Sequence, residues 1–304
     1  MKRIFPVLIA SLGLLIAGLG HAKNVADADA DALRFARWIH AGLLDPDAPI
    51  AQRKAVVAEL EALVKDDADP VLLYLLGSLY RQDPAHSSSP VAQDLDRARI
   101  LLSRAGLHGV IPAMAKLSTI ELQAGFRFEA NVWAQLYYHY AQDQAKADPR
   151  WTSGFAASIL HNALDGFPKN EIESLNASVG AMITQYDAQI REGLSKISAA
   201  DTVDRFRDAR PGQRVLLNSD DAQGRRLESG MSEYVVEFAA DGGVKQLWTI
   251  DAWPNPRLAR VLRSIALGYR VEPAVAKQAA GKLGVMPIAY DDLRYSIRDA
   301  AGKN

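Results

Sequence analysis

His21, His40, His86, His108, His139 and His161 are the side chains best suited to proton transfer or metal binding, because imidazole titrates near neutrality and offers a ring nitrogen lone pair. No two stand four residues apart, the helical spacing that brings two imidazoles to one metal ion. The chain has no cysteine, which removes disulfides, thiolate nucleophiles, cysteine-ligated zinc and iron–sulfur clusters together. Asp66-Asp67, Asp220-Asp221 and Asp291-Asp292 are adjacent carboxylates that could share acid–base work, but neighbouring acids in loops generally face solvent. The Asp–Ala alternation of Ala26 to Ala32 lacks the glycine turn and distal Glu of a calcium loop and reads as a solvated helix start. Gly281-Lys282-Leu283-Gly284 is flanked by glycines without the strand–loop–helix setting that cradles phosphate, and the sequence holds neither a Gly-x-Ser-x-Gly elbow nor a dinucleotide fingerprint. This inventory points away from an enzyme and implies no cofactor and no metal.

Elements must position whatever chemistry there is, and the composition limits them. The 304 residues carry 35 Lys+Arg against 36 Asp+Glu, with 23% charged and 49% hydrophobic side chains, as in a globular protein of one to three domains. Balanced charge argues against a general nucleic-acid binder, which needs clustered cations. The apolar content argues against disorder.

Lys2 and Arg3 precede an uncharged stretch from Ile4 to Ala22 that ends on Gly20, His21 and Ala22, the pattern of an export signal cut after Ala22. The other reading is an uncleaved membrane anchor, since 19 uncharged residues approach the length of a spanning helix. Pro6, Gly13, Gly18 and Gly20 weaken such a helix. Both readings place the rest of the chain across the membrane, in a periplasm.

From Asp31 to about Leu194 apolar residues recur at three and four positions, which predicts helices. From Arg214 onward strands alternate with glycine turns, so the expected parts are residues 1–22, 23–200 and 201–304. Ala98 to Ala105 (ARILLSRA) aligns with Ala134 to Ala141 (AQLYYHYA) at an offset of 36 residues, and each follows another helix, Leu72 to Tyr80 or Ala113 to Leu122. Gly77 and Ser118 recur where paired helices would approach closely. Two-helix units of this period build a solenoid in which each unit buries its apolar face on its neighbours. Leu76, Gly77, Tyr80, Asp96, Ala98, Leu101, Leu102, Ala105, Gly109 and Ala113 resemble one Sel-one-like repeat of the tetratricopeptide superfamily, with a poorer second unit carrying Ser118 and Glu121. An ordinary helical bundle is the other reading. The resemblance implies an adaptor. Tyr74, Tyr80, Trp133, Tyr137 and Tyr138 are conceivable groove aromatics, although aromatics at helical spacing are usually core. Arg81 to Gln93 reads as a mobile insertion between helices.

In the last hundred residues Tyr234, Val236 and Phe238 alternate with Val235, Glu237 and Ala239 as a half-buried strand. Asp241-Gly242-Gly243 supplies a hairpin turn into Val244 to Asp251. Asn255 as N-cap and Pro256 at the first helical position start a helix with the stripe Leu258, Val261, Leu262 and Ile265, ending at Gly268. Tyr269 to Glu272 and Gly284 to Tyr290 read as further strands, and Pro287 makes the last one an edge. Arg214 to Leu217 is a further possible strand. Tyr234 to Phe238, the turn through Val244, Trp253-Pro254, Pro256 to Leu258, Gly268 to Ala274 (GYRVEPA) and Val285 to Tyr290 together resemble the C-terminal domain of TonB-type energy transducers. That resemblance implies a small α+β domain whose antiparallel sheet, with a helix packed on it, pairs with an extended peptide of a protein partner such as an outer-membrane receptor or a cell-envelope component. The chain departs from the family in lacking a proline-rich spacer and the upstream Tyr-Pro motif.

The expected molecule is therefore a helical repeat domain followed by a TonB-like domain, acting without catalysis as a periplasmic adaptor. The residues expected to receive a partner strand are Arg270, Glu272, Val285, Met286, Ile288 and Tyr290. A membrane-anchored accessory transducer is the alternative, and an enzymatic role would require a polar cleft with perturbed titratable groups between the two halves.

Overall fold

Two aspartates open neighbouring helices in the same way. Asp69 accepts a hydrogen bond from Val71 N at 2.7 Å and Asp94 from Arg97 N at 2.9 Å, each satisfying an amide that a helix start leaves unpaired. The computed structural model describes residues 7–8, 25–65, 69–84, 87, 89–147, 153–200, 210–211, 229–271 and 283–290. Among these, eight helices come first: α1 (Val25–His40), α2 (Ile50–Leu63), α3 (Pro70–Arg81), α4 (Leu95–Leu107), α5 (Ile111–Ala124), α6 (Arg127–Ala147), α7 (Ser153–Leu164) and α8 (Ile172–Ala200). Consecutive helices from α2 to α7 pack on one another, and α8 folds back across α4 and α6.

Main-chain proximity sets the α8 crossing. A Cβ on Gly193 would lie 2.0 Å from His108 O, and one on Gly109, whose φ is +94°, would lie 2.3 Å from Leu194 N. Only glycine on both sides lets the two backbones approach so closely. At Gly77, between α3 and α4, a Cβ would meet the side-chain atom Leu102 Cγ at 2.9 Å, a close helix approach at the position expected for one.

The C-terminal part is an antiparallel sheet with one helix. Strand β3 (Gly230–Phe238) pairs with β4 (Val244–Trp253) on one side and with β6 (Leu283–Tyr290) on the other. Strand β1 is the pair Val7–Leu8, which lies antiparallel to Ala289 and Ile288, so the order is β1-β6-β3-β4. Strands β2 (Arg210–Pro211) and β5 (Tyr269–Arg270) form a separate two-residue ladder. The hairpin turns at Gly242, whose φ is +87°; Gly243 needs no positive φ. Helix α9 (Arg257–Leu267) starts where Asn255 Oδ1 accepts from Arg257 N at 3.0 Å, and its buried stripe of Leu258, Leu262 and Ile265 lies on the sheet. Gly268 ends it with φ at −81°, in right-handed rather than left-handed geometry.

Alternation along β3 explains why it is buried on both faces over its whole length. Tyr234, Val236 and Phe238 join Leu247, Met286, Ile288 and Tyr290 in the core beneath α9. On the opposite face Val235, Trp248, Ile250, Leu283 and Val285 merge into the core of the first helices, and Met231, Trp253 and Ala289 into that of the later ones. The halves that differ in sequence texture thus share their apolar interior, and the sheet is a middle layer between the helical array and α9.

The described residues at both ends of the segment Arg81 to Gln93 are more tied down than a mobile insertion would be. Ser89 Oγ donates to Leu79 O at 2.8 Å, Gln93 Nε2 donates to Arg81 O at 2.8 Å, and Ser89 and Pro90 are buried. Tyr74, Tyr80 and Tyr137 are core residues, in line with the expectation for aromatics at helical spacing. Arg214 to Leu217, Glu272 and most of the N-terminal stretch lie outside the described residues. No helix among the described residues is long and apolar enough to cross a membrane.

Candidate functional site

Lys116 sits in the middle of α5 in an otherwise apolar run, and packing α5 against the sheet buries it completely. Its ammonium donates to Ser78 Oγ at 2.6 Å and to Glu233 Oε2 at 2.9 Å, and lies 2.9 Å from Asp251 Oδ2. The rings of Tyr74 and Trp253 close over it, with Nζ 4.1 and 4.3 Å from their centroids. Glu233 and Asp251 come from β3 and β4, side by side in the pairing register. Arg81, at the end of α3, holds the other side of Asp251 through Nε at 3.0 Å and through Nη2, which also donates to Ala252 O at 2.8 Å. Tyr74 OH donates to Glu233 Oε1 at 2.6 Å. Two cations and two anions, from two helices and two strands, thus compensate one another in a buried group.

Their titration follows from that arrangement. Burial pushes the Glu233 carboxyl above its ordinary value, although Lys116 and Tyr74 oppose the shift. Burial acts on Asp251 in the same direction, but Arg81 and Lys116 outweigh it and hold this carboxyl below its ordinary value. Tyr74 is pushed well above the ordinary phenol range by burial and by Glu233. The difference between the carboxylates is one of cation count: Asp251 touches two, Glu233 one.

A cavity of about 120 Å³ opens beside the group, lined by Arg81, Gln82, Gln93, Thr249 and Asp251 and walled by Pro254, Pro256 and Ala259. A polar cleft between the halves, the requirement set for an enzymatic role, is therefore present. Each buried ionised group next to it is nevertheless engaged in an ion pair. Among the described residues no three His, Asp or Glu side chains are grouped as metal ligands. A second, open groove of about 500 Å³ runs between α2 and the Val91 to Asp94 segment, past Tyr80. Burial and the Glu61 hydrogen bond push the Tyr80 phenol up to about 12.

The two edges of the sheet are finished differently. Along β4, Gln82 Nε2 donates to Ile250 O at 2.8 Å, Arg81 Nη2 to Ala252 O, and Arg263 Nη1 to Leu247 O at 3.0 Å. Side chains therefore take up carbonyls along β4, the kind of device that keeps an edge from recruiting another strand. Along β6 the outer ladder holds, among the described residues, two pairs, Val7 with Ala289 and Leu8 with Ile288.

Of the residues expected to receive a partner, Val285 points into the helical core, and Met286, Ile288 and Tyr290 point into the core under α9. None of the four offers its side chain to a partner; what β6 turns outward is main chain, and at Ile288 and Ala289 β1 of the same chain already pairs with it, so β6 is not the free edge that Pro287 suggested. Arg270 is exposed in β5 and bridges to Gly243 at the hairpin turn, the end of the sheet where β6 begins, whereas Tyr290 is at the opposite end. The structure does not bring Arg270 and Tyr290 together, and Glu272 lies outside the described residues.

The central charged group has no motif signature, because its members are scattered at positions 81, 116, 233 and 251. A signal was nevertheless there: Lys116 interrupts an apolar helix, and Glu233 shares its strand face with Met231 and Val235. Charges on predicted core faces, balanced in sign, imply mutual pairing.

Compared with protein-family models, with curated proteins and with solved structures, the chain matches none of them.

Proposed function

We propose that this protein is a non-enzymatic adaptor of the cell envelope, in which a Sel-one-like helical array carries a TonB-like sheet that accepts an extended segment of a protein partner along β6. The observation that carries the reading is the asymmetry of the edges. Side chains take up β4 carbonyls at Leu247, Ile250 and Ala252, while β6 pairs outward through the two residues of β1. An edge that holds an extended apolar dipeptide of its own chain has donors and acceptors in the register that strand addition requires. Since the β6 side chains are buried, the main chain provides affinity, and selectivity comes from surfaces flanking the strand.

If the N-terminal segment acts as an export signal and is removed after Ala22, β1 leaves with it and the outer ladder at Ile288 and Ala289 becomes vacant. Hydrogen exchange of protein recovered from cells, before and after a wash that strips bound polypeptide, tests the idea at Ile288 and Ala289 and, on the opposite edge, at Lys245. Faster exchange after stripping at Ile288 or Ala289 and not at Lys245 is the expected result. An equal change at both edges, or none at Ile288 and Ala289, overturns it.

A further inference from the structure

The cavity beside Arg81 contains a hydrogen-bond donor that the protein leaves unused. Arg81 is 7% exposed; its Nε and Nη2 are taken by Asp251 and Ala252 O, and its Nη1 has no acceptor among the described residues. A guanidinium carries two N–H groups on that nitrogen, and Nη1, which is not one of the enclosed polar atoms without a partner, opens onto the cavity, where water or a ligand can accept from it. Arg81 lines the cavity together with Gln93, Gln123, Ser87 and Thr249, whose amides and hydroxyls both donate and accept.

We propose that this cavity binds a small uncharged amide group. Its carbonyl would accept from Arg81 Nη1, its N–H would donate to the side-chain oxygens of Gln93 or Gln123, and its carbon chain would lie against Pro254, Pro256 and Ala259. Charge decides against an anion. Asp251 already neutralises Arg81 with both oxygens, which leaves no net positive charge at that wall. Size sets the limit: about 120 Å³ is close to the ~150 Å³ cavity that accommodates benzene, so a group of about five or six heavy atoms fits. An amide of that size is either a carboxamide side chain or one peptide unit. The cavity lies on the β4 side of the sheet, across β3 from β6, so it is independent of strand addition.

The test is an NMR titration of the full chain with propionamide, N-methylacetamide and propionate, following the Arg81 side-chain Nε–H and the amides of Thr249 to Ala252. At least one of the amides should give saturable shifts at about 1–50 mM, the range for so few heavy atoms, and propionate should bind at least about tenfold more weakly. The tighter amide identifies the source, propionamide for a carboxamide side chain and N-methylacetamide for a peptide unit. Ala259→Met and, independently, Gln123→Phe should each fill the cavity and abolish saturation, while the β3 amide spectrum remains that of the parent. Shifts that never saturate, propionate binding as well as the amides, or binding that survives both substitutions would overturn the proposal.

Discussion

Lys116 of α5 and Asp251 of β4 meet at 2.9 Å with no exposed surface on either side chain, which makes the contact between the helical array and the sheet electrostatic as well as apolar. Ions out of water are stabilising only when fully compensated. Lys116 and Arg81 face Glu233 and Asp251, so their charges cancel within the group.

Removing one member should therefore cost far more than removing a matched pair. Lys116→Met leaves Glu233 without its cation and should lower stability by ~3–5 kcal/mol. Adding Glu233→Leu leaves Arg81 with Asp251 and should recover most of that loss. Urea denaturation of both variants and of Glu233→Leu alone closes the cycle; strictly additive losses would mean that the residues do not act as a pair.

Acid should act on the two carboxylates in opposite senses. Glu233 is raised in the folded protein, so the native state takes up its proton first, and stability gains from this group as pH falls through the raised value toward the unfolded one. Asp251 is lowered, so its contribution is intact above the unfolded value of about 3.9 and is lost as pH falls through the folded one. Thermal melts should show Glu233→Gln removing a mildly acidic gain and Asp251→Asn flattening the loss below about pH 4. Identical pH profiles for the two variants would refute the assignment.

Glycine at the α4–α5 junction and on α8 gives a third test. A methyl group at Gly193 has His108 O in its way, and Gly193→Ala should cost ~1–3 kcal/mol. Gly180, on the same helix with nothing near its missing Cβ, should instead gain up to ~1 kcal/mol as alanine. Calorimetry of the two variants reads the difference, and equal effects would mean that α8 does not cross where described.

Chain starting at Lys23 should retain the sheet, because β6 pairs with β3 from Leu283 to Tyr290. Hydrogen exchange should quicken at Ile288 or Ala289 while the amides of β3 remain protected. Unchanged exchange at both positions would show that β1 contributes no protection.

The helices, the hairpin with its packed α9 and the final strand were all legible in the sequence, because they rest on local rules: apolar period, the helix start at Asn255-Pro256, and the turn at Gly242; the caps Asp69 and Asp94 emerged from the structure. The β6 stretch was legible as a strand, but not the direction in which its side chains are spent. That depends on what covers each face, and Met286, Ile288 and Tyr290 are committed to α9 while Val285 is committed to the helices.

Tertiary structure alone joined Arg81, Lys116, Glu233 and Asp251. Each lies in a different element, and a charge on an apolar face shows that a partner is needed without indicating which one. The sequence determined where chain reversals and apolar faces lie, since those are set by neighbours a few residues away. Which strand edge is capped, which charges meet and which cavity forms were decided by packing the sheet between the helical array and α9, because those contacts span separations of more than a hundred residues.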